Sequence, residues 1–413
     1  MITTMSKLLA NGLVLFCSLY PVFIILDQSI YYYVVMIFLA VLVAMKTRGV
    51  PSSTTVISLY PLIIFSAICI ASIMWSMDPA VTSRKSVAFA CMVFVTLVIV
   101  SLIRKHPEYL YRLTLSFSIV SSVSLIFFYF TYGTVRHLYE FRLPVEVSVA
   151  NENSAYLVVC IPLLLYGAVR SRENMVRLSL YSMGLILSVV GVLISQSRAG
   201  YLLSAVAIAG FLLLYQPRKF ERKVYILKML FIVLILSSVA MIVSNPLYTT
   251  NDIVSPVIGR IENSRFIDPH GSVDGLRINM LLSIPRILES HPFTGIGFEA
   301  YSRYSAMVYG IREFSHNLFL SASEVGVLGV AMWVSLLFTS VYRTYKSFVR
   351  GSREERNRIS VISVALVIGF VHSMFRPQLQ NMMFLVVLSV SLTRWDRQSG
   401  RFKGSPISRR IQG

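Results

Sequence analysis

Residues 86–103 read SVAFACMVFVTLVIVSLI, eighteen positions without a charge, closed by Arg84-Lys85 on one side and Arg104-Lys105 on the other. A helix rises about 1.5 Å per residue, so this run covers most of a hydrocarbon core of roughly 30 Å. Outward from it, apolar runs recur at 8–26, 30–45, 56–74, 111–132, 154–169, 177–195, 199–215, 225–244, 317–342, 359–373 and 378–393. Several are short for that core. Their repetition over 413 residues predicts an all-α, polytopic integral membrane protein with about 12 transmembrane helices.

Composition excludes a soluble globule. The chain is 55% hydrophobic and 14% charged, where a soluble domain carries roughly a quarter charged residues. The first apolar run is followed at once by a second, so it reads as a span and not as a cleavable signal peptide. Cys17, Cys69, Cys91 and Cys160 each lie inside an apolar run and none has Cys-x-x-Cys spacing, which suits small core residues better than a disulfide framework or a zinc site.

A net charge of +19 raises the question of nucleic acid, since clustered Lys and Arg mark phosphate-backbone binding. Sorting charges by side of the membrane answers it. With both termini cytoplasmic, the inner segments hold 26 of the 38 basic residues and 6 of the 19 acidic ones. Lys and Arg accumulate on the cytoplasmic side of membrane proteins, so the high charge is a topology signal and no nucleic-acid partner is expected. The resulting organisation is helices 1–9 over 1–244, a periplasmic loop over 245–316, helices 10–12 over 317–393 and a basic cytoplasmic tail over 394–413. Hydrophilic loops of that length are usually functional. This one is broken by Pro246, Pro256, Pro269, Pro285 and Pro292, with one expected helix over 273–290.

The twelve external basic residues are not needed for insertion, which makes them candidates for chemistry. Arg198, in Ser195-Gln196-Ser197-Arg198-Ala199-Gly200, reads either as an interfacial arginine reaching lipid phosphates or as a clamp on an anionic substrate, for which its planar fork is suited. Arg84 and Lys85 read as interfacial anchors or as phosphate contacts. Arg142 and Arg376 are further external arginines. The loop supplies Arg277, then His291-Pro292-Phe293-Thr294-Gly295-Ile296-Gly297-Phe298, then Phe314-Ser315-His316-Asn317 at the mouth of the tenth run. Gly295 and Gly297 require no more than a tight turn, and without a preceding strand or a third glycine they imply no nucleotide fold. Glu324, two turns into the tenth run, reads as an acceptor-side contact or as a buried hydrogen-bonded acid.

In order and spacing this set resembles the superfamily of O-antigen ligases and Wzy-type O-antigen and exopolysaccharide polymerases. The resemblance rests on Ser-x-Ser-Arg-x-Gly at Ser195, an arginine-led loop helix at Arg277, Pro-x-x-Gly-x-Gly-Phe at Pro292, and His-Asn-x-x-Leu followed by Glu-x-Gly-x-x-Gly from His316 to Gly329. Upstream it thins to Trp75-Ser76-Met77-Asp78-Pro79 and Asn151-Glu152-Asn153. It implies a GT-C-like, inverting, metal-independent glycosyltransferase of the bacterial inner membrane with no cofactor. The donor would be an undecaprenyl-diphosphate-linked oligosaccharide and the acceptor a glycan or lipid A core, with membrane lipids and a chain-length regulator protein as further partners.

Carried over by position, Arg198 and Arg277 would hold the diphosphate leaving group and His316 would act as general base or orient the acceptor hydroxyl. Arg84, Lys85, Arg142, Asn317, Glu324 and Arg376 would be substrate contacts. A departing diphosphate develops negative charge that preorganised cations stabilise, and a sugar hydroxyl needs a positioned base. No Asp-x-Asp motif lies in the outer segments, so a metal need not be invoked. Trp-Ser-x-Asp-Pro-Ala-x-Thr-x-Arg from Trp75 and Gly-x-Gly-Phe-x-Ala-Tyr from Gly295 lean toward polymerases over ligases. The reading from a different class is a transporter, which would concentrate ionisable groups near the bilayer midplane.

Overall fold

Asp78 and Pro79 set the start of a 27-residue helix that runs to Lys105. The Asp78 carboxylate accepts the backbone N–H of Val81 at 3.1 Å, and Pro79 occupies the first helical position, where its missing N–H costs nothing. The computed structural model describes residues 4–19, 29–46, 53–132, 144–195, 198–215, 273–309, 318–373 and 382–392. Among these the chain is helical and without strands. In order the helices are α1 (Thr4–Ser18), α2 (Ser29–Lys46), α3 (Ser53–Ala71), α4 (Pro79–Lys105), α5 (Glu108–Tyr132), α6 (Pro144–Arg170), α7 (Met175–Ile194) and α8 (Arg198–Leu214). After the undescribed stretch 216–272 come α9 (Val273–Ser290), α10 (Tyr301–Tyr309), α11 (Leu318–Ser323), α12 (Gly326–Arg350), α13 (Arg353–Ser373) and α14 (Met382–Leu392). A 3-10 turn, Ser72–Trp75, follows α3.

Six of the described helical segments are long and apolar enough to cross a bilayer: Val56–Trp75, Pro79–Lys105, Glu108–Phe127, Asn153–Arg170, Met175–Ile194 and Gly326–Arg350. Shorter apolar helices cover Met5–Ser18, Tyr32–Lys46, Gly200–Leu214 and Met382–Leu392. The expected ninth span, 225–244, and the tail 394–413 lie outside the described residues. Two expectations need correction. The fourth helix begins at Pro79, not near residue 86, so Arg84 and Lys85 sit within its first two turns. The tenth run, read as one helix over 317–342, is two helices broken at Glu324 and Val325. Gly326 takes φ +80 there, and a Cβ on it would lie 2.3 Å from the Phe293 carbonyl oxygen. The approach of the 291–300 loop thus interrupts the helix.

The bundle packs through small residues, the usual device where lipid removes the hydrophobic drive for helix association. Ser118 of α5 donates to the Gly184 carbonyl of α7 at 2.6 Å, and Ser122 donates to the Leu187 carbonyl at 2.8 Å. A Cβ on Gly191 would meet Leu157 of α6 at 2.6 Å. At the far end of the chain Arg343 donates to the carbonyl of Leu392, the last residue of α14, a cation where a helix leaves its carbonyls unpaired. A second, smaller core of Met280, Ile287, Ile296, Ala300, Tyr301, Tyr304 and Leu320 joins α9, α10 and α11.

Candidate active site

Three sequence motifs far apart in the chain close on one another at one end of the bundle. The turn Trp75–Pro79 meets the loop Pro292–Phe298: Trp75 Nε1 donates to the Thr294 carbonyl at 2.5 Å, and Met77 N–H donates to the Ile296 carbonyl at 2.9 Å. Thr82 Oγ1 donates to the Phe298 carbonyl at 2.9 Å, while Phe298 N–H donates to Ser72 Oγ at 3.1 Å. The Phe298 ring is fully buried, with its centroid 6.3 Å from Phe65 and 5.7 Å from Phe89. A loop residue is therefore plugged into the membrane bundle, and burying a ring of that size contributes on the order of 2 kcal/mol.

The third motif, Glu324–Gly329, closes the other side. The Glu324 carbonyl accepts the N–H groups of Ile296 and Gly297, each at 2.8 Å, and Val327 N–H donates to the Pro292 carbonyl at 2.8 Å. Gly295 at φ +65 and Gly297 at φ +100 let the backbones approach this closely. A Cβ on Gly295 would stand 2.1 Å from the Glu324 carbonyl oxygen, and one on Gly297 would stand 2.2 Å from Ser76 Oγ. The two glycines make a turn, the bland alternative raised by the sequence.

Glu324 has no exposed surface. Its carboxylate accepts the Glu299 N–H at 2.9 Å and the Tyr301 N–H at 2.8 Å. Of its two sequence readings, this geometry is that of the buried hydrogen-bonded acid. Glu299 holds φ 59, a left-handed conformation uncommon for a residue with a side chain, and the Glu324 bond to its N–H fixes that turn. Beyond it, Ser283 Oγ lies 3.1 Å from the Tyr301 hydroxyl and 2.9 Å from the Tyr309 hydroxyl, and Arg286 donates to the Tyr309 oxygen at 3.2 Å. Burial raises the Tyr304 phenol above its ordinary pKa, Tyr309 adds to this, and the nearby Arg286 charge opposes it. The α9–α10–α11 unit is held by this chain together with its apolar core.

These contacts position the predicted residues as follows. Arg198 is the first residue of α8, which packs on α6 and α13. A Cβ on Gly210 would touch Val364 at 3.2 Å, so in this antiparallel pair the start of α8 lies level with the end of α13. Arg277 lies in the second turn of α9, one turn before the buried Met280. Met280 shares its core with Leu320, four residues after His316. The Phe319 and Phe370 rings meet edge-on at 6.3 Å, bringing the start of α11 to the end of α13. The backbone thus gathers the beginnings of α8, α9 and α11 and the end of α13 at one end of the bundle. The side chains of Arg198 and Arg277, and all of Arg142, His316, Asn317 and Arg376, lie outside the described residues. Arg84 is exposed and Lys85 half-buried on α4. Among the described residues no group of His, Cys, Asp and Glu converges to hold a metal.

Sequence reasoning did not foresee the positioning roles of Ser72, Trp75 and Thr82. Asp78-Pro79 as a helix start was a usable signal for the turn they form.

The class is therefore an all-helical, multi-pass membrane protein with a glycine-turned segment clamped to one end of its bundle. Residues 183–334 match the family model described as O-antigen ligase, Wzy_C, a stretch that takes in the Ser195, Pro292 and Glu324 motifs. The match supports an O-antigen ligase or polymerase type of role and points to a multi-pass inner-membrane protein acting on lipid-linked glycans. Among curated proteins none matches the chain.

Proposed function

We propose that the chain is an inverting glycosyltransferase that polymerises O-antigen or exopolysaccharide repeat units on the periplasmic face of the inner membrane. The acceptor hydroxyl attacks the anomeric carbon of the lipid-linked glycan as its bond to the diphosphate oxygen breaks. His316 takes the hydroxyl proton, and undecaprenyl diphosphate departs onto Arg198 and Arg277. Arg84, Lys85, Arg142, Asn317 and Arg376 are contacts of the donor or acceptor, and Glu324 acts through the loop it holds. No metal or cofactor enters. The observation that carries this reading is the convergence of the start of α8, the arginine-bearing α9, and the helix that follows His316-Asn317, inside the stretch that matches the ligase family. Arginine cations suit a leaving group whose charge grows in the transition state.

The ligase alternative, in which finished polymer moves to lipid A core, shares donor and site. Surface polysaccharide from a deletion strain separates the two. Single-repeat core, or lost high-mass exopolysaccharide, supports the polymerase; lipid-linked polymer that never reaches core supports the ligase. His316→Ala should reproduce the deletion while inserting normally, and normal-length polysaccharide from that variant would refute the base role.

A further inference from the structure

Asn153 is 1% exposed, and neither its amide nitrogen nor its carbonyl oxygen has a hydrogen-bond partner. Ser121, 0% exposed, has an equally unpartnered hydroxyl. Buried polar groups in folded proteins are overwhelmingly paired, and one left bare costs stability, so a pair of bare groups calls for an explanation.

Helix register shows where they lie. Phe117 of α5 stacks on Tyr156 of α6 at 5.5 Å. Ser121 is one turn beyond Phe117 and Asn153 one turn before Tyr156, so on these antiparallel helices both occupy the next layer. Across the α6–α7 pair, Cβ atoms on Gly184 and Gly191 would meet Leu164 at 3.3 Å and Leu157 at 2.6 Å. Carrying that antiparallel register one further turn sets Asn153 level with Ser195, where α7 ends and the turn to Arg198 begins. The two bare polar groups therefore sit beneath the arginine turn, at the bundle end where the candidate site gathers.

We infer that Asn153, with Ser121 in the same helical layer, is a substrate-binding residue whose carboxamide Nδ2 donates to a diphosphate oxygen of the lipid-linked donor held by Arg198. This rests on the glycosyltransferase reading. A carboxamide complements the arginine there: it donates a hydrogen bond without adding charge to a poorly hydrated interior, and a phosphate oxygen supplies the acceptor that the protein does not. The stability given up by leaving the amide bare is the mark of a binding group and not of a structural one.

The test replaces Asn153 by Leu, similar in size and free of polar atoms. Purified full-length Asn153→Leu should melt at or above the wild-type temperature, while its KM for lipid-linked donor rises about ten- to a hundredfold, the range for losing a hydrogen bond to a charged group. Asn153→Asp, which sets a negative charge against the diphosphate, should lose more transfer than Leu. A lower melting temperature for the Leu variant would assign Asn153 a structural role and overturn the inference, and so would unchanged transfer. Arg198→Ala is assayed in parallel. If it is inactive while Asn153→Leu is fully active, this inference alone falls; if both transfer normally, the glycosyltransferase reading falls with it.

Discussion

Glu324→Ala tests whether the bundle holds the 291–301 loop through one carboxylate. The side chain is fully buried and accepts two backbone N–H groups, from Glu299 at 2.9 Å and Tyr301 at 2.8 Å. Truncation leaves both donors buried and bare, at about 1–3 kcal/mol each, so the loop should loosen by roughly 2–6 kcal/mol. At about 1.4 kcal/mol per factor of ten, even the lower figure raises the open population about thirtyfold. Cleavage of a transiently opened state follows that population when reclosing is fast, and Arg303 is exposed on α10 just beyond the loop. Tryptic cleavage after Arg303 in the detergent-purified protein should therefore accelerate at least about thirtyfold over wild type. Glu324→Gln keeps one acceptor oxygen but turns an amide N–H toward the other donor, so it should fall between the two. Wild-type cleavage of Glu324→Ala accompanied by lost transfer would refute the argument and return Glu324 to the acceptor side of the site.

The remaining expectations are briefer. Gly295→Ala should destabilise the same loop by roughly 2–5 kcal/mol, adding the left-handed φ penalty to the overpacking against the Glu324 carbonyl; an unchanged melting temperature would contradict that contact. Lysine at Arg198 or Arg277 should restore only part of the transfer lost on alanine substitution, because an ammonium lacks the bidentate fork, and full activity with lysine at both would mean that positive charge alone suffices. A single cysteine at position 270 should react with an impermeant thiol reagent from outside intact spheroplasts while one at 220 should not; the reverse pattern would turn the proposed site toward the cytosol.

Much of the site was legible as motifs and little of it as roles. Pro-x-x-Gly-x-Gly-Phe and Glu-x-Gly-x-x-Gly stand out in the sequence, yet the contact of the first with Trp75-Ser76-Met77 joins residues more than two hundred positions apart. No local pattern encodes such a pairing. The break at Glu324 was hidden for a related reason. Residues 317–342 read as one apolar helical run, and the Phe293 carbonyl pressing on Gly326 interrupts it. The helix over Val273–Ser290 was readable in full, whereas α10, nine residues long and polar on one face, exists through its Tyr301 and Tyr304 anchors in the small core.

The amino-acid sequence by itself determined the solvent this protein lives in, its helical class and the chemistry its arginines and histidine suit, because bilayer length, charge asymmetry and side-chain type are local properties of the chain. Tertiary structure alone decided that Glu324 holds a loop, that Phe298 anchors that loop in the bundle, and that Asn153 and Ser121 sit bare beneath the Arg198 turn. Burial and hydrogen-bond satisfaction depend on which helices become neighbours, and helix neighbours in a membrane are chosen by small-residue packing spread across the whole fold.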